Sequence, residues 1–311
     1  MSRIALFVLI AAPLLARDAY LFTSFRRNGE TGVFFAISRD GKRWTSLNNG
    51  EPWIKPELPG MLMRDPWLGR GKDGTWHLLW TGGWREKAGK GEVYIGYSSS
   101  RDLIDWEPQR EIVVMQNEPK SRNAWAPEAV WDKKRKEWIV FWSTTIPGRF
   151  PDTDATGDDG FNHRLYAMTT SDFRTFSMPR LWYDPGFNSI DATVVRDRGR
   201  WIMIFKDERL NPLQKRLRFS FADSPAGPWS GPTEPFTRDW VEGPSAVKVG
   251  RDWIIYYDHY AKPQHYGAVR TRDWRKFEDI TEQISFPPDH RHGTVVRING
   301  RLARELEQER R

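Results

Sequence analysis

An internal repeat is the feature that most restricts the fold of this chain. In five segments a β-like run ends with Ser, Thr or Ala and continues with an Asp, and an aromatic residue follows shortly afterwards. These segments are "ISRDGKRWTSL" (37–47), "SSSRDLIDWEP" (98–108), "MTTSDFRTFSMP" (168–179), "FADSPAGPWSGP" (221–232) and "VRTRDWRKFEDIT" (269–281). A period of about 50 to 65 residues indicates one supersecondary unit repeated five times.

A second series of five segments alternates with the first. Each is a short turn that leads into an apolar run: "MRDPWLGRG" (63–71), "WAPEAVWD" (125–132), "SIDATVVRD" (189–197), "VEGPSAVKVG" (241–250) and "RHGTVVRING" (291–300). After each of the first four comes a strand-like segment rich in aromatic residues. Roughly four strands per repeat predict an all-β, five-bladed β-propeller.

The two ends of the repeat region complement each other. Residues 18–25, 32–40 and 43–47 look like the second, third and fourth strands of a blade, whereas residues 292–298 look like a first strand with nothing after it. We therefore expect one domain, residues 17–300, whose last blade is closed by N- and C-terminal strands, because closure removes exposed sheet edges. Residues 301–311 are expected to be a C-terminal tail, either a solvated helix or frayed.

Composition agrees with short strands and tight turns, since 17 Trp, 17 Phe and 9 Tyr accompany 25 Gly and 21 Pro. The absence of cysteine means that the core must be stable without disulfides. The net charge of +7 comes from scattered Lys and Arg. Without a basic stripe or a known module, the charge does not indicate a nucleic-acid partner.

The first sixteen residues, "MSRIALFVLIAAPLLA", have the pattern of a signal peptide: a basic start, an apolar run and a small residue at the end. The apolar run is short for a membrane anchor and contains Pro13. We expect residues 1–16 to be removed during export, which leaves a secreted or periplasmic protein with no stable membrane insertion.

Polar residues stand at the entrances of the five predicted first strands: Asp65, Glu128, Asp191, Glu242 and His292. In a propeller the first strands line the central channel, so these side chains should meet at one mouth. Several carboxylates at one partly dry place cost stability and indicate a use. Glycoside hydrolysis requires an acid to protonate the leaving oxygen and a carboxylate opposite to it, and a third carboxylate would keep the acid protonated.

Five short motifs carry a resemblance to a known family: "RDP" at Asp65, "WAPE" at Glu128, "SID" at Asp191, "EGP" at Glu242 and "RHG" at His292. In order and blade placement they resemble glycoside hydrolase family 43, the five-bladed propeller arabinosidases and xylosidases. The resemblance covers roughly residues 18–298. In many members the base lies nearer to the start of the mature chain, and the closure of the last blade explains that shift.

The resemblance implies an inverting mechanism. In it, Asp65 is the general base, Glu242 the general acid, and Asp191 raises the pKa of that acid and orients it. It also implies that Trp125 and Glu128 line the sugar subsite. In this family a His at the position of His292 often helps to hold a central ion, usually calcium and partly through water. The resemblance thus makes His292 a candidate ligand for a structural calcium ion in the central channel, and the alternative is a His that satisfies a local hydrogen bond; no cofactor is required.

Other residues are candidates for sugar binding. Trp84 and Phe187 are candidate sugar platforms, and Lys206, Arg218 and His259 are expected to reach the channel from second or third strands. The acidic, Gly-rich "PDTDATGDDG" (151–160) lacks the ligand spacing of a calcium loop, which favours a flexible loop over the mouth.

The leading interpretation is a hydrolase that cleaves α-L-arabinofuranosyl or β-xylosyl linkages of an oligosaccharide or polysaccharide. One alternative is a retaining propeller hydrolase of the fructan and sucrose type, but the chain lacks the "NDP" and Glu-Cys motifs of those enzymes. The other alternative is a carbohydrate-binding propeller without catalysis.

Overall fold

The computed structural model describes residues 18–83 and 93–309, and the expected signal peptide lies outside them. The described strands form five sheets, which is the five-bladed propeller that the repeat predicts. Among the described residues, no helix has the length and apolar character needed to span a bilayer.

The strands follow the chain blade by blade. The closing blade begins with β1 (Ala19–Arg26), β2 (Phe34–Ser38) and β3 (Thr45–Ser46). Blade 1 contains β4 (Arg64–Arg70), β5 (Trp76–Thr81), β6 (Val93–Ser100) and β7 (Arg110–Val114). Blade 2 contains β8 (Trp125–Asp132), β9 (Glu137–Thr145), β10 (His163–Thr170) and β11 (Arg180–Tyr183).

Blade 3 contains β12 (Ser189–Asp197), β13 (Arg200–Asp207) and β14 (Arg216–Ala222). Blade 4 contains β15 (Val241–Val249), β16 (Asp252–His259), β17 (His265–Thr271) and β18 (Glu278–Asp279). The chain then returns with β19 (His290–Arg291) and β20 (Val295–Ile298) and ends in helix α1 (Gly300–Gln308). Short 3₁₀ segments lie at Asn48–Gly50, Pro151–Thr156 and Thr281–Gln283.

The last blade is closed by both ends of the repeat region, as expected. β20 pairs with β1 in an antiparallel register that places Tyr20 opposite Arg297. β19 continues the same pairing, with Phe25 opposite Arg291. Strands from the two ends therefore share one sheet, and the hydrogen bonds of β1 are satisfied on both sides.

The repeated Asp is a turn former. In four of the repeats one oxygen of the Asp side chain accepts hydrogen bonds from the backbone N–H groups two and three residues later; these are Asp40, Asp102, Asp172 and Asp273. This local bonding is the reason that Asp recurs at the end of third strands.

Blade 3 differs from the four-strand expectation. After β14 the chain keeps spaced backbone bonds, from Ser230 N to Phe221 O, from Thr233 N to Phe219 O and from Phe236 N to Leu217 O, instead of a regular fourth strand. Residues 228–235 contain three prolines, and proline has no N–H to donate to a ladder.

The end of the chain corrects a second expectation. Helix α1 is not a solvated tail, because Leu302, Ala303 and Leu306 are buried in a core shared with Ala19 and Leu21 of β1. The spacing of these three residues places them on one helix face. The Asn299 side chain begins the helix by accepting hydrogen bonds from the N–H groups of Arg301 and Leu302.

Candidate active site

The first strand of each complete repeat contains a β-bulge near its entrance. In blade 1, Arg64 lies opposite Thr81 and Trp67 lies opposite Leu79, so two residues face one. The same shift occurs in β8, β12 and β15. The first bulge residue has a positive φ in all four strands: Asp65 (51°), Ala126 (48°), Asp191 (54°) and Gly243 (58°). Such strain in a non-glycine residue costs on the order of 1–3 kcal/mol and is concentrated at functional sites.

The bulge register shows which residues are equivalent. Asp65 and Asp191 occupy the same bulge position, and Glu242 lies one residue earlier, at the level of Trp125. Glu128 lies two residues beyond its bulge residue. The assumption that Glu128 is equivalent to Asp65 and Asp191 is therefore wrong, because four-letter motifs do not reveal where a bulge adds a residue.

These entrances surround a cavity of about 260 Å³. It combines the acidic cluster with residues of the connection between β9 and β10, and we call that connection, residues 146–162, the mouth loop. The lining residues are Arg64, Asp65, Trp125, Asp158, Asp159, Phe161, His163, Asn188, Ile190, Asp191, Glu208, Glu242 and His292. The three predicted catalytic carboxylates thus share one cavity.

Asp65 is held as an anion. Burial would raise the pKa of Asp65, but the charge of His292 and hydrogen bonds lower it well below its usual value. Thr81 Oγ1 donates a hydrogen bond to Asp65 Oδ2 over 2.7 Å, and His292 Nδ1 lies 3.3 Å from Asp65 Oδ1. The Thr81 hydroxyl also accepts a hydrogen bond from Ala126 N, which fixes its orientation.

His292 lies between two carboxylates. Its Nδ1 is 3.3 Å from Asp65 Oδ1 and 3.8 Å from Asp191 Oδ2. Burial would lower the pKa of His292, but the charges of Asp191 and Asp65 raise it to about 9. A Cβ on Gly243 would lie 2.4 Å from the imidazole ring, so the Gly in "EGP" makes room for His292.

Asp191 is the carboxylic acid that retains its proton most readily in this trio. Burial and the neighbouring Glu242 charge raise the pKa of Asp191 to about 7, against the opposing effect of His292. Asp191 Oδ2 accepts a hydrogen bond from Gly243 N at 3.2 Å, next to Glu242 in the chain.

Glu242 is bound by a cation at each oxygen. Lys206 Nζ lies 3.2 Å from Oε2 and Arg291 donates to Oε1 over 2.9 Å. Burial would raise the pKa of Glu242, but these two cations lower it. The expected rise in the pKa of Glu242 is therefore wrong, and the rise is found at Asp191 instead.

Glu128 is buried and does not line the pocket. Burial raises the pKa of Glu128 to about 8, although a hydrogen bond with Thr193 opposes this rise. The prediction that Glu128 lines the sugar subsite is corrected by this burial, because Glu128 is not among the residues that line the pocket.

The predicted aromatic platforms have different positions. Trp125 lines the pocket and contacts Phe161 and His163, with ring centroids 4.8 and 4.9 Å away. Phe187 is buried in the core of blade 3, where its ring packs against Phe205. The guanidinium group of Arg209 lies over the same ring. Trp84 lies outside the described residues.

The structure places the three predicted polar sugar contacts in different environments, and none of them is a pocket-lining residue. Lys206 is buried behind Glu242. Arg218 pairs with Asp207 over 2.8 Å, and His259 stacks on His265 with ring centroids 4.6 Å apart. Neither Arg218 nor His259 lines the pocket, because their strands carry them outward from the axis.

The described side chains do not form a closed metal site. Among residues 18–83 and 93–309, no group of three or more His, Cys, Asp or Glu side chains has an arrangement that could hold a metal ion. A calcium ion held by His292 and partly through water stays a prediction.

Sequence reasoning missed several residues of the site. Arg291 is adjacent to His292 in the chain, so the "RHG" motif contained its signal. Glu208 and Lys215 lie in the connection between β13 and β14, where only a cluster of charged residues marks them. His163 is buried, and its Nδ1 is 3.2 Å from Asn188 Oδ1.

Comparison with known proteins identifies the family. The sequence profile described as "Probable glycosyl hydrolase domain", of the glycosyl hydrolase 43-related type, matches residues 16–303. The chain belongs to the glycosyl hydrolase 43-related family. That assignment agrees with the resemblance of the five motifs and with a glycoside hydrolase domain.

Members and neighbours of known name include arabinofuranosidases. An α-L-arabinofuranosidase of Bifidobacterium longum subsp. longum is 27% identical over 219 residues, which are 64% of this chain and 20% of that protein. The match thus spans only about a fifth of that curated relative.

Solved structures support the fold. An α-L-arabinofuranosidase from Lactobacillus brevis superposes with a TM-score of 0.52 at 16% identity over 70% of this chain and 72% of that one. An exo-β-1,3-galactanase from Clostridium thermocellum gives a TM-score of 0.58 at 12% identity over 84% and 59%.

Proposed function

We propose that this family-43-related chain is an exported, inverting glycoside hydrolase that cleaves α-L-arabinofuranosyl or β-xylosyl linkages. The observation that carries the proposal is one small pocket with an ionised carboxylate, Asp65, and a second acidic pair, Asp191 and Glu242. Glycoside hydrolysis requires one carboxylic acid and one ionised carboxylate, and the inverting course is the one that the family resemblance implies.

Asp65 would activate the water. His292 and Thr81 stabilise its charge and lower its pKa, so Asp65 is the carboxylate of the site that is available as a base. Glu242 would protonate the leaving oxygen, and Asp191 would hold the proton of the pair before the sugar binds.

The pocket favours a neutral sugar. Its volume of about 260 Å³ is the share of roughly nine water molecules in the liquid, which suits a single sugar unit. Its lining contains more carboxylates than cations, and Lys206 and Lys215 are already paired with Glu208, Glu242 and Asp158, so the described residues of the pocket offer a uronic acid no unopposed positive charge. Trp125 offers an apolar surface beside the carboxylates.

The arabinofuranosyl preference is supported by the named relatives, and export is supported by the pattern of residues 1–16. Because one structural neighbour is a galactanase, the substrates to be tested include a β-galactoside. A carbohydrate-binding propeller without catalysis is the alternative that the experiment must separate.

The test is hydrolysis of chromogenic α-L-arabinofuranoside, β-D-xyloside and β-D-galactoside, and of arabinan and xylan, by residues 17–311. On arabinan and xylan, whose leaving oxygens must be protonated, we expect Glu242→Gln to lower kcat by about 10²–10⁴, because it removes the proton donor. Glu51→Gln is the matched control at an exposed position. NMR of the first-formed product should show the inverted anomer.

Equal turnover of arabinan or xylan by wild type and Glu242→Gln would refute the assignment of the acid. Binding of oligosaccharides without cleavage of any substrate would favour the carbohydrate-binding alternative. A retained anomer would exclude inversion.

A further inference from the structure

A row of alternating charges connects the mouth loop to the proposed acid. Its members, which we call the charge chain, are Asp158, Lys215, Glu208, Lys206 and Glu242. Lys215 Nζ lies 2.7 Å from Asp158 Oδ2 and 2.6 Å from Glu208 Oε1. Lys206 Nζ lies 2.7 Å from Glu208 Oε2 and 3.2 Å from Glu242 Oε2.

Both lysines are almost fully removed from solvent, each with about 1% of its surface exposed. An unpaired buried ammonium ion is very costly, so each lysine must keep its carboxylate partners close. Glu208 is the shared partner, with one oxygen on each lysine. The positions of Lys206 and Lys215 are therefore mutually dependent.

The outer end of the charge chain is on the mouth loop. Asp158 lines the pocket, and its side chain is 47% exposed. The backbone supports the same link, because Leu210 N donates to Thr156 O over 2.6 Å. The connection between β13 and β14 thus holds the loop through both backbone and side chain.

The inner end is at Glu242. Lys206 contacts Glu242 directly, and the ring of Tyr260 packs beneath the ammonium group at 4.4 Å. Lys215 also contributes a backbone contact, since its carbonyl oxygen accepts a hydrogen bond from Val241 N, one residue before Glu242. Displacement of Lys215 would therefore disturb the mouth loop through Asp158 and the strand of Glu242 through Val241.

We propose that Lys215 and Glu208 are positioning residues that fasten the mouth loop to the Glu242 side of the pocket. They act through Asp158 and Lys206 and determine whether the wall of the sugar site is complete when the substrate arrives. This inference rests on the proposed function for its kinetic part, but the physical link can be measured without turnover.

The first experiment is hydrogen exchange of peptides covering residues 146–162. Lys215→Met and Asp158→Asn should both increase exchange in the mouth loop, and Lys215→Arg should restore most of the protection because it keeps the charge. Asp152→Asn is the matched control, since it removes the same charge from an exposed position of the same loop that does not line the pocket.

The second experiment is steady-state kinetics on the substrate that wild type cleaves best. We expect KM to rise about threefold in Asp158→Asn, where the ion pair is half-exposed, and about tenfold or more in Lys215→Met. The kcat should change much less than KM. The double variant should be no worse than Lys215→Met alone, because both changes break the same link.

Thermal unfolding separates positioning from general destabilisation. A lower melting temperature in Lys215→Met with unchanged KM and unchanged loop exchange would overturn the inference, as would additive effects in the double variant. If Lys215→Met fails to fold, the loop exchange and the KM of Asp158→Asn still test the inference. If wild type cleaves nothing, the proposed function fails, and the exchange experiment alone decides whether the link exists.

Discussion

Replacing Glu128 by Gln should make the stability of this protein less sensitive to pH. Glu128 is 7% exposed in the channel wall, and burial is the main cause that raises its pKa to about 8. Gln has nearly the same shape and can accept the same hydrogen bond from Thr193, but it cannot ionise. The substitution therefore isolates the cost of the buried negative charge.

The size of the effect follows from the difference between the folded and unfolded pKa values. The pKa of an unfolded Glu is about 4.5 and that of Glu128 in the fold is about 8. Because the pKa of Glu128 is raised in the fold, its protonated carboxyl contributes fully to stability below pH 4.5. This contribution is lost as the pH rises through 8. A difference of about 3.5 units corresponds to about 5 kcal/mol.

Urea unfolding of wild type and Glu128→Gln at intervals from pH 4 to pH 9 measures this difference. We expect similar free energies of unfolding near pH 4.5 and a growing advantage of the variant above it, with a plateau beyond pH 8. For Glu51→Gln, at an exposed site, the free energy of unfolding should change with pH as it does for wild type. Parallel curves for Glu128→Gln would refute the reasoning that burial keeps Glu128 neutral.

Two further predictions concern the docked helix and the proposed base. Leu306→Ala should lower the free energy of unfolding by about 2–5 kcal/mol, because Leu306 is fully buried in the core, whereas Arg304→Ala on the exposed face should have little effect in the same unfolding assay. Thr81→Val should raise the pKa of Asp65 by removing a hydrogen bond to its charged form, which moves the acidic limb of the kcat/KM profile to higher pH. Thr75→Val removes a similar bond to the surface residue Asp73, so a matching shift in that control would contradict the explanation.

The sequence was sufficient for the blade count and the closure because both depend on local patterns. The Asp turns recur once per repeat, and the alternation of residues 292–298 has no partner nearby in the chain. The docking of helix α1 was missed because Leu302 and Leu306 show an apolar face without showing what covers it. The face is covered by β1, which lies almost 300 residues earlier in the chain.

The carboxylates were predicted as a group, but their electrostatics were not. A one-residue bulge separates Glu242 from the level of Asp65 and Asp191, and nothing in the short motifs reveals it. The partners of Glu242 come from β13 and β19, which lie on different blades. The direction of a pKa shift depends on such distant neighbours, so sequence spacing alone gave the wrong sign for Glu242.

The two cations on Glu242 differ in a way that bears on the proposed mechanism. Lys206 is sealed behind the carboxylate with 2% of its side chain exposed, whereas 27% of the Arg291 side chain is exposed. The contact of Glu242 with Arg291 is therefore the more accessible of the two and the one that a bound sugar would displace more readily. Loss of the Arg291 contact would raise the pKa of Glu242, since one of the cations that lowers it would be gone. In the proposed reaction, substrate binding itself would then help to shift the proton of the acidic pair from Asp191 toward Glu242, where the leaving oxygen needs it.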